Sequence, residues 1–565
     1  MVSLPQLSDF ASRFDQTARI LRLRFAPGAG VSEQTLLPHV LRGKEALSGC
    51  YEYQLECLSP DAHLELKDLL SLPVEVSILL ADGGQRILSG LVTLAEQLGG
   101  DGGFAKYGLT IEPALAILRH RHNSRVFQDK SVPEIVAAIL DEHVASNPVI
   151  AESFRHHAQL SQTYPPRSYC LQYRESDLAF IQRLLREEGI SYRFAFSEAQ
   201  DTRNENSDRS DVPTHTLILF DDAYNLDAAA QDKVRFHRAD GTEGEDSIVS
   251  WQSARQIQSG QSRLISYEYK SAGIHDAGEQ TATMQGEAAD VLSYSLEAYD
   301  PQTVYYGGPE DMARYARLRQ QARDLKTQAF SGEGTARAMS VGSWFELRDH
   351  PIHDQDGQED RQFLVTEQSF EARNNLPQEI ANNSTPSPLV GEGEGPVYTN
   401  TFQAVRRGIP IVPEYTQTHA KPSSFGPQTA TVVGPSGEEI YTDELGRIKI
   451  QFHWQRQQDG HADRNETSST WVRVVYPAAG SQWGRQHIPR IGQEVLVEFL
   501  EGDIDRPIVR AAIHNGAHQP PTFSGAGSLP ANKILSGIKT KEYKGAQYNE
   551  LLFDDTTDET RAKLS

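Results

Sequence analysis

The chain has 565 residues, with 77 Asp and Glu against 54 Lys and Arg, a formal charge of −23 and three cysteines. That length calls for several domains, each with a core of its own, and the anionic balance argues against a general binder of polyanions. Cys50, Cys57 and Cys170 are too few for a disulfide framework, no Cys/His set has metal-ligand spacing, and no apolar run reaches the roughly 20 residues of a membrane-spanning helix. The opening stretch MVSLPQLSDFASRFDQ has no basic region followed by an apolar core, so no classical signal peptide is expected.

From Arg19 to about Pro113 the chain is a succession of strand candidates: RILRLRFA, CYEYQLEC, PVEVSILL, QRILSGLVTLAEQL and YGLTIEPAL. Asp82-Gly83-Gly84 and Gly99 to Gly103 punctuate them with the turn chemistry of antiparallel neighbours. Helices then break in. Ser131 and Glu134 have capping-box spacing before an apolar stripe of Ile135, Val136, Ile139 and Leu140. In RESDLAFIQRLLREEG, Ser176 is placed to cap, Leu178, Ile181 and Leu185 share a face, and Gly189 suits a left-handed terminus. Residues 196–212 read as an exposed polar loop. Strands resume at Thr216 to Phe220, KVRFHR, SIVSWQSARQ and SRLISYEYK. A helix is expected from Pro309 to Phe330, with Leu318, Ala322, Leu325 and Ala329 on one face, and then strands SWFELRD and QFLVTEQSFEAR. Asn374 to Gly395, rich in Asn, Ser, Pro and Gly, reads as a linker.

Residues 428–516 lose all helical periodicity. Ile448, Ile450, Phe452 and Trp454 alternate with Lys449, Gln451 and His453; runs at Trp471 to Tyr476, Glu494 to Phe499 and Ile508 to Ile513 follow. Four or five short strands in about ninety residues suit a small closed barrel of the OB kind, because closure leaves no open strand edge. The residues TVVGPSGEEIYTDELGRIKIQFHWQ, STWVRVVYPAAGSQWG and PRIGQEVLVEFLEGDIDRPIVRAAIHN resemble the barrel domain of the VgrG family, the trimeric spikes of type VI secretion systems related to contractile phage tail hubs and needles. The stretch from Tyr173 to Phe194, followed by a strand ending in Asp221-Asp222, resembles the hub signature of the same family.

The resemblance implies a mainly β chain with inserted helices. Two barrel-like hub subdomains would occupy residues 1–375, a linker 376–425, an OB-fold barrel 426–518, and a neck with the start of a β-helix needle 519–565. YNELLFDD resembles the needle's opening, but no needle repeat follows, which implies a truncated chain or a member without a needle. The implied function is mechanical: a homotrimer that caps a tube of secreted ring protein (Hcp-like), punctures membranes and carries effectors with their adaptors. Baseplate proteins and a PAAR-repeat tip protein are further implied partners. Such a protein would be cytoplasmic before firing and then delivered to the extracellular space or a target cell. No cofactor and no enzymatic activity are expected. Trp454, Trp471 and Trp483, with Phe452 and Phe499, are candidates for the barrel core or the trimer contact, and Gly446, Gly492 and Gly502 for turns.

Catalytic readings of the same residues are weaker. Asp443, Glu444, Asp503 and Asp505 could pair as glycosidase carboxylates, yet each sits beside Gly or Pro in a turn, where Asp bonds its own backbone. His120/His122, His156/His157 and His514/His518 lack a third metal ligand at a recognisable spacing. Gly391, Gly393 and Gly395 match no phosphate-binding pattern. Single-stranded nucleic acid is the alternative ligand for an OB barrel. It needs a positive groove with stacking aromatics, whereas residues 425–518 hold 9 Arg and Lys against 12 Asp and Glu. Arg447, Lys449, Arg456 and Arg473 around Trp454 are the residues that would have to supply it.

Overall fold

The computed structural model describes residues 16, 19–32, 34–100, 104–196, 212–237, 246–303, 307–376, 397–415, 421–524 and 526–565. Of the loop expected at 196–212, residues 197–211 lie outside the described residues, as do 377–396 and 416–420 of the linker expected at 376–425; within that linker Tyr398–Arg406 is instead a strand of the large sheet, because Phe402 and Ala404 fill a barrel core. Two compact units emerge: one spans residues 1–122, 131–165 and 176–420, the other residues 123–130, 166–175 and 421–565.

The first unit is built on a twelve-stranded sheet. Strands Leu21–Phe25, Pro73–Leu79, Gln85–Gly100, Ala105–Glu112, Glu52–Ser59 and Leu37–Ala46 form a half-barrel that ends on Gln362–Arg373. That last strand also closes a six-stranded barrel with Trp344–Arg348, Ala228–Phe236, Ser247–Arg255, Gln328–Gly334 and Tyr398–Arg406. One strand can serve two cores because its register slips between Val365 and Glu367. A one-residue slip changes which face the alternation points to. Phe363 and Val365 accordingly belong to the barrel core, and Phe370 and Ala372 to the half-barrel core.

The two halves mirror each other across the Ser369–Thr401 pair. On one side Phe370 faces Gly43, which faces Tyr53; on the other Phe402 faces Gly332, which faces Trp251. In both, the Phe ring covers its glycine. A Cβ would come within 2.2 Å of the Phe370 ring at Gly43 and 2.4 Å of the Phe402 ring at Gly332, so no larger residue fits without displacing the ring.

The helices start where local chemistry directs. Ser131 N–H donates to Glu134 Oε2 at 2.7 Å and opens the Val132–Ser146 helix; Ser176 Oγ accepts the Ala179 amide and opens Asp177–Glu188, which stops at Gly189 with φ 72°. The helix expected from Pro309 to Phe330 ends at Asp324. Residues Gln328–Gly334 form a strand instead, because Phe330 fills the barrel core against Trp251 and Phe363. Ala329 is therefore not on the helix face. Helical periodicity yielded there to tertiary packing. Strand Gly273–Gln280, helix Glu287–Ser295 and strand Glu297–Pro301, which the sequence pattern did not reveal, build a small three-stranded sheet with Gln261–Glu268.

Candidate functional site

In the second unit a five-stranded sheet runs Lys449–Phe452, Gln428–Val433, Glu494–Phe499, Pro507–Ile513, Arg473–Val474. Alternation along these strands sends Ile450, Phe452, Val495, Val497 and Val509 into one core with Ala430, Val432, Ile448 and Val472. Lys449 and Gln451 stay half-buried on the other face.

The candidate aromatics fall into three settings. Phe452 is fully buried, with Trp454 stacked on it at 5.2 Å and Phe499 at 5.9 Å. Trp454 Nε1–H donates to Gln428 Oε1 at 2.9 Å, so the half-buried indole keeps its polar atom satisfied. Trp471 is half-buried between the Tyr441 ring at 4.9 Å and the Lys449 ammonium at 5.0 Å. Trp483 stands apart at 71 % exposure, in a two-strand hairpin with its ring over Gly480. Gly446, Gly492 and Gly502 have φ of 70°, 92° and 76°, the left-handed region where a side chain is strained.

The acidic and basic candidates are occupied. Asp443 accepts the Leu445 and Arg447 amides and the Arg447 guanidinium at 2.6 Å. Burial opposes its ionisation, yet the hydrogen bonds from Arg447 hold its carboxyl below the usual range. Lys449 Nζ donates to the Ser469 carbonyl at 2.7 Å, and burial lowers its pKa. Arg456 bonds Asp459 at 3.0 Å and Asn123 at 2.6 Å. Three of the four basic side chains that a nucleic-acid groove would require are thus committed within the unit, and that alternative is not favoured. His156 pairs with Asp141, and His514 Nδ1–H donates to the His518 carbonyl. Among the described residues no group of three or more His, Cys, Asp or Glu could hold a metal ion.

One feature of this unit escaped the sequence reading, and a second, the neck expected at 519–565, was read without its strand arrangement. The first is a ribbon: residues 123–130 and 166–175 arrive from within the sequence of the first unit, and Val126, Tyr169, Leu171 and Tyr173 pack with Ile504 and Trp454. Asp505, buried, accepts the Leu171 amide at 2.7 Å and the Lys421 ammonium at 2.7 Å, while Lys421 also reaches Asp503 at 3.1 Å. The paired carboxylates are therefore a latch. The alternation Tyr169-Leu171-Tyr173 was a readable strand signal, but nothing local names its partner. The second feature is the neck, where Leu535–Lys539, Glu550–Asp554 and Arg561–Leu564 form a three-stranded meander. Its register puts Ile538, Leu551, Phe553 and Leu564 on one face, of which Ile538, Phe553 and Leu564 are exposed. Glu439 ties the neck to the barrel by accepting the Lys544 amide at 2.6 Å beside Arg490 at 3.1 Å.

This arrangement has close counterparts. Residues 44–376 match the phage tail baseplate hub family, and residues 436–514 match the type VI secretion system/phage-baseplate injector OB domain. The type VI secretion system spike protein VgrG1b of Pseudomonas aeruginosa is 33 % identical over 546 residues, 96 % of this chain and 66 % of the relative. VgrG1a of the same organism is 32 % identical over 526 residues, 92 % of this chain and 73 % of the relative. The chain thus spans about two thirds of the length of these relatives. Among solved structures, an E. coli component of the type VI secretion system with structural similarity to the T4 tail proteins gp27 and gp5 aligns at TM-score 0.56 and 19 % identity, covering 87 % of this chain and 99 % of that one. The Francisella PdpA–VgrG complex aligns at TM-score 0.57 and 10 % identity, covering 100 % of this chain and 91 % of that one. At these identities the two structures speak to the fold.

Proposed function

This chain belongs to the VgrG family of type VI secretion spike proteins, and from that premise we propose that it works as a homotrimeric hub and spike at the head of a contractile injection machine. The observation that carries the reading is the union, on one chain, of a hub-like pair of barrels with an injector OB barrel. In the proposed assembly each chain gives two barrel-like halves to a ring, so three chains offer six similar faces to a tube of secreted ring protein. The three OB barrels would carry threefold symmetry. The exposed neck face of Ile538, Phe553 and Leu564, and the outlying Trp483, supply apolar surface that copies of the chain would cover.

The role is mechanical and needs no active site. Membrane puncture, carriage of effectors with adaptors, and contacts with baseplate proteins and a PAAR-repeat tip are the corresponding partner proposals. Delivery would run from the cytoplasm to the outside or into a target cell. No helix among the described residues is long and apolar enough to cross a membrane. Light scattering on a sizing column, at two ionic strengths, tests the assembly. A mass of three chains at both is expected, and a single-chain mass at micromolar concentration would overturn it.

A further inference from the structure

The Glu287–Ser295 helix presents its apolar side to water. Val291 is 69 % exposed, Leu292 50 % and Tyr294 49 %, while the one buried residue of the helix is Ser293. At 100° per residue, Val291 lies between Leu292 and Tyr294 and opposite Ser293. The Gly260 amide donates to the Ser293 carbonyl at 3.0 Å, which fixes the helix at one end of its small sheet. The inner face of that sheet is covered: Leu264 packs with Met312, Tyr315 and Ala316 of the Pro309–Asp324 helix. Its outer face is not. There Tyr267 lies opposite Ile274, and Tyr299 opposite Arg263, with all three apolar side chains exposed.

The charge around this surface has one sign. Residues 257–303 hold seven Asp and Glu against two Lys and Arg, and one of those two, Arg263, is held by Asp276. Glu287, Glu297 and Asp300 form an exposed anionic rim, in which Arg263 reaches Glu297 at 3.9 Å. An isolated Leu or Tyr in water needs no explanation, whereas Val291, Leu292 and Tyr294 exposed together on one helix face, with Glu287 and Ser295 among them and Tyr267, Ile274 and Tyr299 exposed on the sheet beside them, mark a contact surface. A second copy of a chain with net charge −23 is a poor match for an anionic rim.

We propose that this small module is a docking surface for a cationic amphipathic segment of a separate protein. Its apolar residues cover Val291, Leu292 and Tyr294, and its Lys or Arg residues face Glu287, Glu297 and Asp300. The proposal does not depend on the trimer. The test uses the full chain and a fluorescent 18-residue amphipathic Leu/Lys helix as probe, with anisotropy read at two salt concentrations. The variant V291S/L292S/Y294S keeps every charge and alters only exposed side chains, so its circular dichroism should match the parent while the probe binds at least tenfold more weakly. E287Q/E297Q keeps the apolar face and should weaken binding with a flatter salt dependence. Unchanged affinity in the triple variant would overturn the proposal. So would a drop in the chain's own mass in that variant without probe, because the surface would then join copies.

Discussion

At the scale of single residues, burial rather than residue type sets the chemistry. The His215 ring is fully buried, 6.3 Å from Tyr51, 5.5 Å from Phe154 and 6.4 Å from Phe194, and its Nε2 accepts the Ala114 amide at 2.9 Å. That bond leaves the proton on Nδ1 and the ring neutral. Burial pushes its pKa down from 6.5 to about 3. Between those values the unfolded chain binds a proton that the folded hub refuses, so stability falls as pH drops from 6.5 toward 3 and is unaffected above that window. Urea unfolding at pH 7, 5.5 and 4.5 checks this. His215→Gln should lose about one proton's worth of the acid slope, and equal slopes in both proteins would exonerate the residue. In the barrel, Phe452→Ala removes a buried ring that Trp454 and Phe499 stack on. It should cost about 3–5 kcal/mol in the same assay.

At the scale of elements, the ribbon and its latch are the informative case. Tyr169, Leu171 and Tyr173 belong to the barrel unit because they share a buried cluster with Ile504 and Asp505 takes the Leu171 amide. Removing the carboxylate strips one buried partner from Lys421 and from that amide. Asp505→Ala should therefore destabilise the unit by about 3 kcal/mol, in the range for breaking a buried ion pair. Asp505→Asn, which keeps an acceptor for the amide, should cost less. Amide hydrogen exchange at Leu171 should rise in the Ala variant, and unchanged exchange would mean that the ribbon is held by its apolar contacts alone. Gln362–Arg373 makes a related point about elements. Its single register slip lets one strand supply Phe363 to one core and Phe370 to the other, so two barrel-like halves share a strand.

At the scale of the whole molecule, the apolar surface left on one chain is what an assembly would have to cover. Phe553→Ser with Leu564→Ser keeps the meander's backbone pairing and removes two exposed apolar side chains from its outer face. Sedimentation should show this variant dissociating at a chain concentration at least tenfold higher than the parent. If the two proteins dissociate alike, the neck face is not where copies meet. Net charge works against association, so raising the salt should favour the larger species at the margin.

Part of this was legible before any coordinates. Alternation placed Ile450 and Phe452 inside, Ser131 with Glu134 and Ser176 with Gly189 marked helix ends, and dense literal motifs identified the barrel and the hub signature. Each of those signals is local: a period, a cap, a turn or a string of residues. What only the tertiary structure decided is which distant pieces meet. It ended the long helix at Asp324 because Phe330 was needed in a barrel core, and turned Asp503 and Asp505 from a carboxylate pair into a latch. It also left Val291 and Leu292 facing water in a helix that the sequence pattern did not reveal. A sequence pattern carries the periodicity of an apolar face; what that face packs against is settled by contacts between residues far apart in the chain.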